Sequence, residues 1–213
     1  MKIYDISVGI SPEMPTWPDD PPVILTKLAE IQNGADANIT AIEMSVHSGT
    51  HIDAPKHFID DGIAADEIPF EKLMGEVVVM EMSDAASVIS AEILKTHPDN
   101  SRLQTASKVL FKTINSGTWQ SSSAEFQKDY VGINKSGAKY LAGLNLDLIG
   151  IDYLSIAPYD DTVQPHTILL SKGIILLEGI NLSRVPSGIY QLCCLPLKII
   201  GCEGAPARAI LVE

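Results

Sequence analysis

Three of the five histidines in the chain lie within eleven residues, and an aspartate stands among them. The run reads His47-Ser48-Gly49-Thr50-His51-Ile52-Asp53-Ala54-Pro55-Lys56-His57. Imidazole and carboxylate groups that converge on one point can hold Zn²⁺ or Mn²⁺. The spacing therefore predicts a metal site built from His47, His51 and Asp53. Pro55 would end the local element and bring His57 toward the open side of the metal.

An extended strand would position these ligands better than a helix would. From Ile39 onward the chain shows a two-residue alternation. The apolar residues at even positions are Ile42, Met44, Val46 and Ile52, and the polar residues at odd positions are Glu43, Ser45, His47, His51 and Asp53. Residues of equal parity project from one face of a strand, whereas a helix would turn Asp53 away from both histidines. The pattern predicts a strand from Ile39 to Asp53 that carries the ligands on its polar face.

Other apolar runs predict a strand-rich chain with few helices. Predicted strands cover 3–8, 75–82, 108–113, 147–152, 173–178, 192–197 and 209–212. One helix is predicted to start at Ser90, and another to span 136–144 with a glycine near its end. These elements predict an α/β or α+β fold. Since the sequence has no linker, repeat or low-complexity tract, a single domain over residues 1–213 is expected.

Two loops stand out by composition. Residues 11–22 contain five prolines around Trp17, which excludes a helix or a central strand there. Trp17 could cover the edge of the core or form a wall of a binding site. The polar stretch 115–128 is long for a structureless loop, and such loops are often functional or mobile.

Composition limits the classes of partner. The formal net charge is −12, and no cluster of Lys and Arg opposes it, so nucleic-acid binding is not expected. No run approaches the ~20 apolar residues of a membrane span, and the first residues do not resemble a signal peptide. A cytoplasmic location is expected. The three cysteines, an odd number near the C-terminal end, suggest buried thiols rather than disulfides.

The histidine run resembles the signature H-x-G-T-H-x-D-x-P-x-H-F of the cyclase family, complete through Phe58. That family includes bacterial kynurenine formamidase (arylformamidase) and isatin hydrolase. The resemblance extends over essentially the whole chain. It includes Asp5-Ile6-Ser7, Thr16-Trp17-Pro18, the pair His166 and Glu178, and Ala207-Arg208-Ala209-Ile210.

The resemblance implies a role for each of these residues. His47, His51 and Asp53 would hold one metal, and Asp53 would bridge to a second metal. The implied fold is a single-domain, β/β/α sandwich-like (swivelling-type) one, in a homodimer or larger homo-oligomer. Further implied roles are second-metal ligands for His166 and Glu178, general acid/base for His57, and a pocket wall for Trp17.

The implied activity is metal-dependent hydrolysis of a small amide or formamide. The leading substrate is N-formylkynurenine, an intermediate of tryptophan catabolism, with two Zn²⁺ per chain and Mn²⁺ as the other candidate metal. Isatin, a lactam or a lactone are alternative substrates, and a metal-dependent cyclase or dehydratase would share the same site. A non-catalytic metal-binding protein is the rival class; it would have a closed coordination shell and no use for His57.

Overall fold

The structure is a computed structural model that describes residues 1–120 and 125–213. Within these ranges the strands are β1 Ile3–Asp5, β2 Ile24–Ala29, β3 Ile39–Glu43, β4 His51–Asp53, β5 Met74–Glu81, β6 Lys108–Lys112, β7 Leu148–Ile151, β8 Ile175–Glu178, β9 Gly188–Pro196 and β10 Gly204–Val212. The α-helices are α1 Phe70–Leu73, α2 Ala91–Thr96, α3 Asn100–Leu103, α4 Lys135–Leu141 and α5 Val163–Leu170. Short 3₁₀ helices span Ile31–Asn33, Pro55–His57, Ala65–Glu67 and Ile114–Gln120.

Eight of these strands form one mixed sheet in the order β1-β10-β4-β8-β7-β6-β5-β9. The long strand β10 also pairs with β9, so seven strands form a closed, barrel-like ring with β1 added alongside β10. Strands β5 to β8 run parallel, and the pairings of β4, β9 and β10 are antiparallel. Closure leaves few strand edges free to pair with other chains.

The closed sheet separates two apolar cores because successive strand residues point to opposite faces. On β5, Val77 and Val79 join a cluster to which all seven strands of the ring contribute, so this cluster fills the inside of the ring. Val78 and Met80 join a second cluster that includes residues of α2, α4 and α5. The helices therefore cover the outer face of the sheet. This arrangement confirms the expected mixed α/β fold.

Strands β2 and β3 form a separate two-stranded sheet, which we call the arm. Every residue of β3 and all of β2 except Ala29 are exposed, including large apolar side chains on both strands. The exposed large apolar residues of this segment are Ile24, Leu25, Leu28, Ile31, Ile39 and Ile42. An isolated two-stranded hairpin is marginally stable in water, and exposed apolar patches often mark interaction sites.

The structure differs from the sequence predictions in one strand and contains elements that were not predicted. The predicted strand from Ile39 to Asp53 is wrong, because the chain turns between β3 and β4 and Gly49 takes a left-handed conformation with φ of 67°. The arm strand β2 and helix α5 were not predicted. The stretch 115–128 begins as a 3₁₀ helix, and residues 121–124 of it lie outside the described residues. Among the described residues, no helix is long and apolar enough to cross a membrane.

Candidate metal centre

Strand β4 places two of the predicted ligands on the outer face of the ring. Ile52 points into the inner core, so His51 and Asp53 on either side of it face outward. On the neighbouring strand β8, Leu177 points inward and Glu178 outward, and Glu178 is the register partner of His51. Three potential ligands thus meet on adjacent strands through ordinary antiparallel pairing.

The ring of His51 is fixed by its backbone contact. Its Nδ1 lies 2.9 Å from the carbonyl oxygen of Gly49, to which it must donate. In the neutral ring, Nε2 therefore carries the lone pair, as a metal ligand requires. That atom lies 3.4 Å from Oε2 of Glu178 and 3.5 Å from Oδ1 of Asp53.

Helix α5 supplies His166 in the same way. Its Nδ1 donates to the carbonyl oxygen of Thr162, 2.6 Å away, so Nε2 is again the ring nitrogen that faces the other potential ligands. This Nε2 lies 3.2 Å from Oε1 of Glu178 and 3.7 Å from Oδ2 of Asp53. The ring of Phe58 stacks on His166 at 4.5 Å between centroids and holds the imidazole in place.

His47 reaches the centre from the turn that precedes β4, not from a strand. Its Nδ1 lies 2.8 Å from Oδ1 of Asp53, and its Nε2 lies 3.6 Å from a carboxylate oxygen of Glu203. The ring occupies space left by Gly204 on β10. A Cβ added to Gly204 would lie 2.6 Å from Cε1 of His47. Neither Glu203 nor Gly204 was predicted to belong to the site, because only strand pairing brings them here.

The acidic and basic groups of the centre shift one another's ionisation. Burial alone would lower the pKa of His47, but the charges of Asp53 and Glu178 and the hydrogen bond to Asp53 raise it to about 9. Burial would raise the pKa of Asp53, and the neighbouring histidines hold it well below its usual range. The pKa of Glu178 is lowered by His166 and His51 against the opposing effects of burial and Asp53.

The donor set fits a divalent metal, and one carboxylate serves two ligand groups. One group comprises His47, His51 and Asp53, and the other comprises Asp53, His166 and Glu178; within each group the ligand atoms lie within 4.8 Å of one another. Oδ2 of Asp53 and Nε2 of His47 are buried without a hydrogen-bond partner among the described residues. Buried polar atoms are rarely left so, and metal ligation would satisfy both.

His57 lies beside the ligands but belongs to neither group. It ends the 3₁₀ turn Pro55–His57 that follows β4, and its ring stacks on His47 with centroids 4.1 Å apart. Burial, opposed by Asp53 and assisted by His47, lowers the pKa of His57. In the metal-free protein the ring is therefore neutral near pH 7 and can accept a proton.

A cavity of about 220 Å³ opens onto this centre. A cavity of roughly 150 Å³ is large enough for benzene, so this one has room for a single aromatic ring with a short substituent. Trp17 forms part of the wall, where Phe126 and Tyr159 pack on it at centroid distances of 5.1 and 5.6 Å. The residues that line the cavity are Trp17, Asp20, His47, His51, His57, Phe58, Leu154, Ser155, Thr162, His166 and Glu178.

The structure thus brings all seven sequence-predicted site residues to one cavity or its floor. Sequence reasoning missed Asp20, Ser155 and Thr162, which also line it. No signal was available for Thr162, because helix α5, which follows it, was not predicted. For Asp20, its position three residues after Trp17 in the same loop was the only indication.

Comparison with known proteins gives consistent results. A family model described as "Putative cyclase" matches residues 4–158. Cyclase-like protein 3 of Arabidopsis thaliana is 39% identical over 100% of this chain and 80% of its own length. Kynurenine formamidase of Salinibacter ruber is 37% identical over 99% of this chain and 97% of its own. A solved structure described as a potential metal-dependent hydrolase with cyclase activity superposes with a TM-score of 0.84 at 30% identity, covering 99% of this chain and 96% of that one.

Proposed function

The chain belongs to the cyclase family, and from that premise we propose that it hydrolyses the C–N bond of a small aryl formamide, with N-formylkynurenine as the leading substrate. The coarser class, a metal-dependent hydrolase acting on C–N bonds, is confirmed by its relatives. The observation that carries the proposal is the pair of ligand groups that share Asp53 at the floor of a cavity with room for one aromatic ring.

We propose that the two ligand groups hold two Zn²⁺ ions, with Asp53 between them. The alternative metal is Mn²⁺, which His and carboxylate ligands also accept. When bound, such ions supply a Lewis acid for a carbonyl oxygen and lower the pKa of a water molecule to about 7. Two ions would also neutralise the two buried carboxylates, Asp53 and Glu178, which are only 1% and 3% exposed.

His57 has the position of the proton-transfer group. It lies on the cavity wall, it is free of the ligand groups, and its lowered pKa leaves it able to take the proton of the attacking water. As the C–N bond breaks, the same ring would return that proton to the leaving nitrogen. The amine product would then leave neutral.

The aromatic part of the substrate would be held by the walls of the cavity. Trp17 and Phe58 offer ring faces or edges, and Leu154 adds an aliphatic surface. Ser155 and Thr162, whose side chains carry hydroxyl groups, also line the cavity. They could bind a second oxygen or nitrogen of the substrate and so orient its reacting carbon.

The first experiment is a release assay for formate and kynurenine from N-formylkynurenine, on protein whose zinc and manganese contents are measured in the same sample. Rapid turnover that a chelator abolishes and added zinc restores would support the proposal. If fully metal-loaded protein releases neither product, N-formylkynurenine is not the substrate. Isatin, a lactam and a lactone are then assayed on the same preparation.

The bridging role of Asp53 has its own test. We expect Asp53→Ala to lose both metals together, since both ligand groups use this residue. Asp99→Ala is a suitable control, because Asp99 forms its ion pair with Arg102 of α3, a helix that supplies no ligand. Retention of one full metal equivalent by Asp53→Ala would show that Asp53 does not bridge.

We also propose that the protein is a homodimer in which the arm packs on the second copy. The support is the exposure of large apolar residues on both arm strands, which a monomer would leave in water. Light scattering behind gel filtration measures the mass directly. A mass of one chain, 23.0 kDa, at micromolar concentration would exclude the dimer.

A further inference from the structure

We infer that Asp20 and Trp17 form a subsite for a cationic group of the substrate, an alkylammonium above all. The inference rests on the proposed function, because it assumes the same reaction. Its evidence comes from the side of the same cavity that the proline-rich loop of residues 11–22 lines, which we call the loop side. It specifies which aryl formamides the enzyme prefers.

The loop holds Asp20 in a defined position. The backbone N–H of Asp20 donates to the carbonyl oxygen of Trp17 at 3.1 Å, which closes a turn and sets the two side chains on the same cavity. Trp17 is in turn packed by Phe126 and Tyr159. A carboxylate and an indole ring presented together are the two groups that recognise an ammonium ion, through a charged hydrogen bond and a cation–π contact.

The carboxylate of Asp20 is available for a ligand. Among the described residues it takes part in no ion pair and accepts no side-chain hydrogen bond. The neighbouring Asp19 differs in that it is exposed and does not line the cavity. The two adjacent aspartates therefore offer a direct comparison between a cavity carboxylate and a surface carboxylate.

No lysine or arginine lines the cavity within the described ranges, and the four residues 121–124 are Ser, Ser, Ser and Ala. Lys128 lies over the ring of Tyr159, 4.8 Å from its centroid, and lines a different cleft. The basic groups that do line the cavity are histidines. Of the three histidines in the ligand groups, His51 and His166 already donate their Nδ1–H to a backbone carbonyl oxygen. A substrate carboxylate on the loop side would meet Asp20 without a compensating cation from this chain.

The expected order of substrates follows from this charge arrangement. An aryl formamide with an ammonium group and no carboxylate is preferred over a neutral one, and a neutral one over an anionic one. N-formylkynurenine carries an ammonium and a carboxylate together, so it should rank below an otherwise similar substrate that has lost the carboxylate.

The test uses zinc-loaded full-length protein and three formanilides that differ only at the position opposite the formamide. They carry an aminomethyl group, a methyl group or a carboxylate. We expect kcat/KM to fall in that order for the native protein. Asp20→Asn should reduce the preference for aminomethyl over methyl by about tenfold, a typical loss when a charged hydrogen bond is removed. Asp19→Asn is the control, since asparagine tolerates the left-handed backbone (φ 73°) at that position, and it should leave the preference unchanged.

A binding measurement separates this inference from the proposed reaction. Calorimetric titration with benzylammonium and with benzyl alcohol needs no turnover. The subsite is supported if benzylammonium binds about tenfold more weakly to Asp20→Asn than to the native protein and to Asp19→Asn. If this result is obtained and no formanilide is hydrolysed, the subsite stands and the formamidase proposal fails. Equal affinities of the native protein for the two ligands, or equal effects of the two variants, would overturn the subsite.

Discussion

At the scale of the residue, His57 differs from His47 and His51, the other two histidines of the motif, because it belongs to neither ligand group. We expect His57→Ala to lower kcat by a factor of 10² to 10⁴, the usual contribution of a general acid/base, while the metal content stays near that of the native protein. Assays of turnover and of bound metal on the same preparation check this expectation.

His97→Ala is the matched control for that variant. His97 lies outside the cavity and contacts the backbone of Glu81 and Asp99, so its loss should leave both activity and metal content intact. If His57→Ala loses metal and activity in the same proportion, His57 is a ligand and the proton-transfer role is wrong.

The ionisation of the ligand residues in the metal-free protein determines the direction in which the zinc affinity changes with pH. Against the effect of burial, Asp53 and Glu178 raise the pKa of His47 to about 9, and Glu178 with Asp53 raises that of His166. Below these pKa values a metal must displace a proton from each ring. The apparent zinc affinity should therefore rise as the pH increases from 6 to 9.

Calorimetric titration with zinc at pH 6, 7 and 8, in two buffers of different ionisation enthalpy, measures both the affinity and the protons released. An affinity independent of pH, with no proton release, would show that the rings are already neutral in the metal-free protein.

At the scale of the element, the centre depends on how closely β10 passes His47. A methyl group at position 204 would lie 2.6 Å from the ring of His47 and 2.9 Å from the carbonyl oxygen of Ile52, so one of them must move. We expect Gly204→Ala to weaken zinc binding by the His47 group at least tenfold. The group with His166 and Glu178 should be less affected, because the atoms nearest to a Cβ at position 204 belong to His47 and Ile52.

Gly9→Ala serves as the control, since nothing lies within 4 Å of a Cβ at that position. Metal titration followed by measurement of the bound equivalents would distinguish the two groups. Two undiminished equivalents in Gly204→Ala would mean that the His47 ring moves aside without loss of ligation.

The elements also show how far the sequence predicts this site. The two-residue alternation correctly puts His51 and Asp53 on one face, because β4 is a regular strand in which Ile52 faces inward. It fails for His47, because the alternation continues from Met44 to His47 although the chain has already left β3. A turn of this kind has no signature in a two-residue period.

The ligands His166 and Glu178 could be predicted only from the family resemblance. Glu178 meets His51 because β8 pairs with β4, and His166 arrives on a helix packed over that sheet. Strand order and helix packing are long-range properties that local patterns do not encode. The arm strand β2 was missed for a different reason: Ile24 and Leu25 are adjacent apolar residues and Thr26 and Lys27 are adjacent polar ones, so the usual alternation is absent.

At the scale of the whole molecule, the centre connects the ring of strands to the helices on its outer face, because the ligands come from β4, β8, α5 and a turn. Without metal, the two buried carboxylates depend on protonated histidines to offset their charge, because the described lining contains no Lys or Arg. Removal of the metal should lower the melting temperature on the order of 10 °C, which corresponds to ~4 kcal/mol of binding free energy in a chain of this size.

Differential scanning calorimetry with and without a chelator measures this shift, and the same chelator saturated with zinc beforehand is the control. If the metal is removed and the melting temperature does not change, the centre is a rigid site that forms without its ions.

Strand β10 pairs with β1, β4 and β9, and through Gly204 it borders the ring of His47. During synthesis, the histidine motif leaves the ribosome long before residues 204–212, and so do His166 and Glu178. A nascent chain arrested before residue 204 already contains every ligand residue, but the strand that closes the ring around them is missing. We expect such a chain to bind zinc poorly, so that metal acquisition follows completion of the polypeptide.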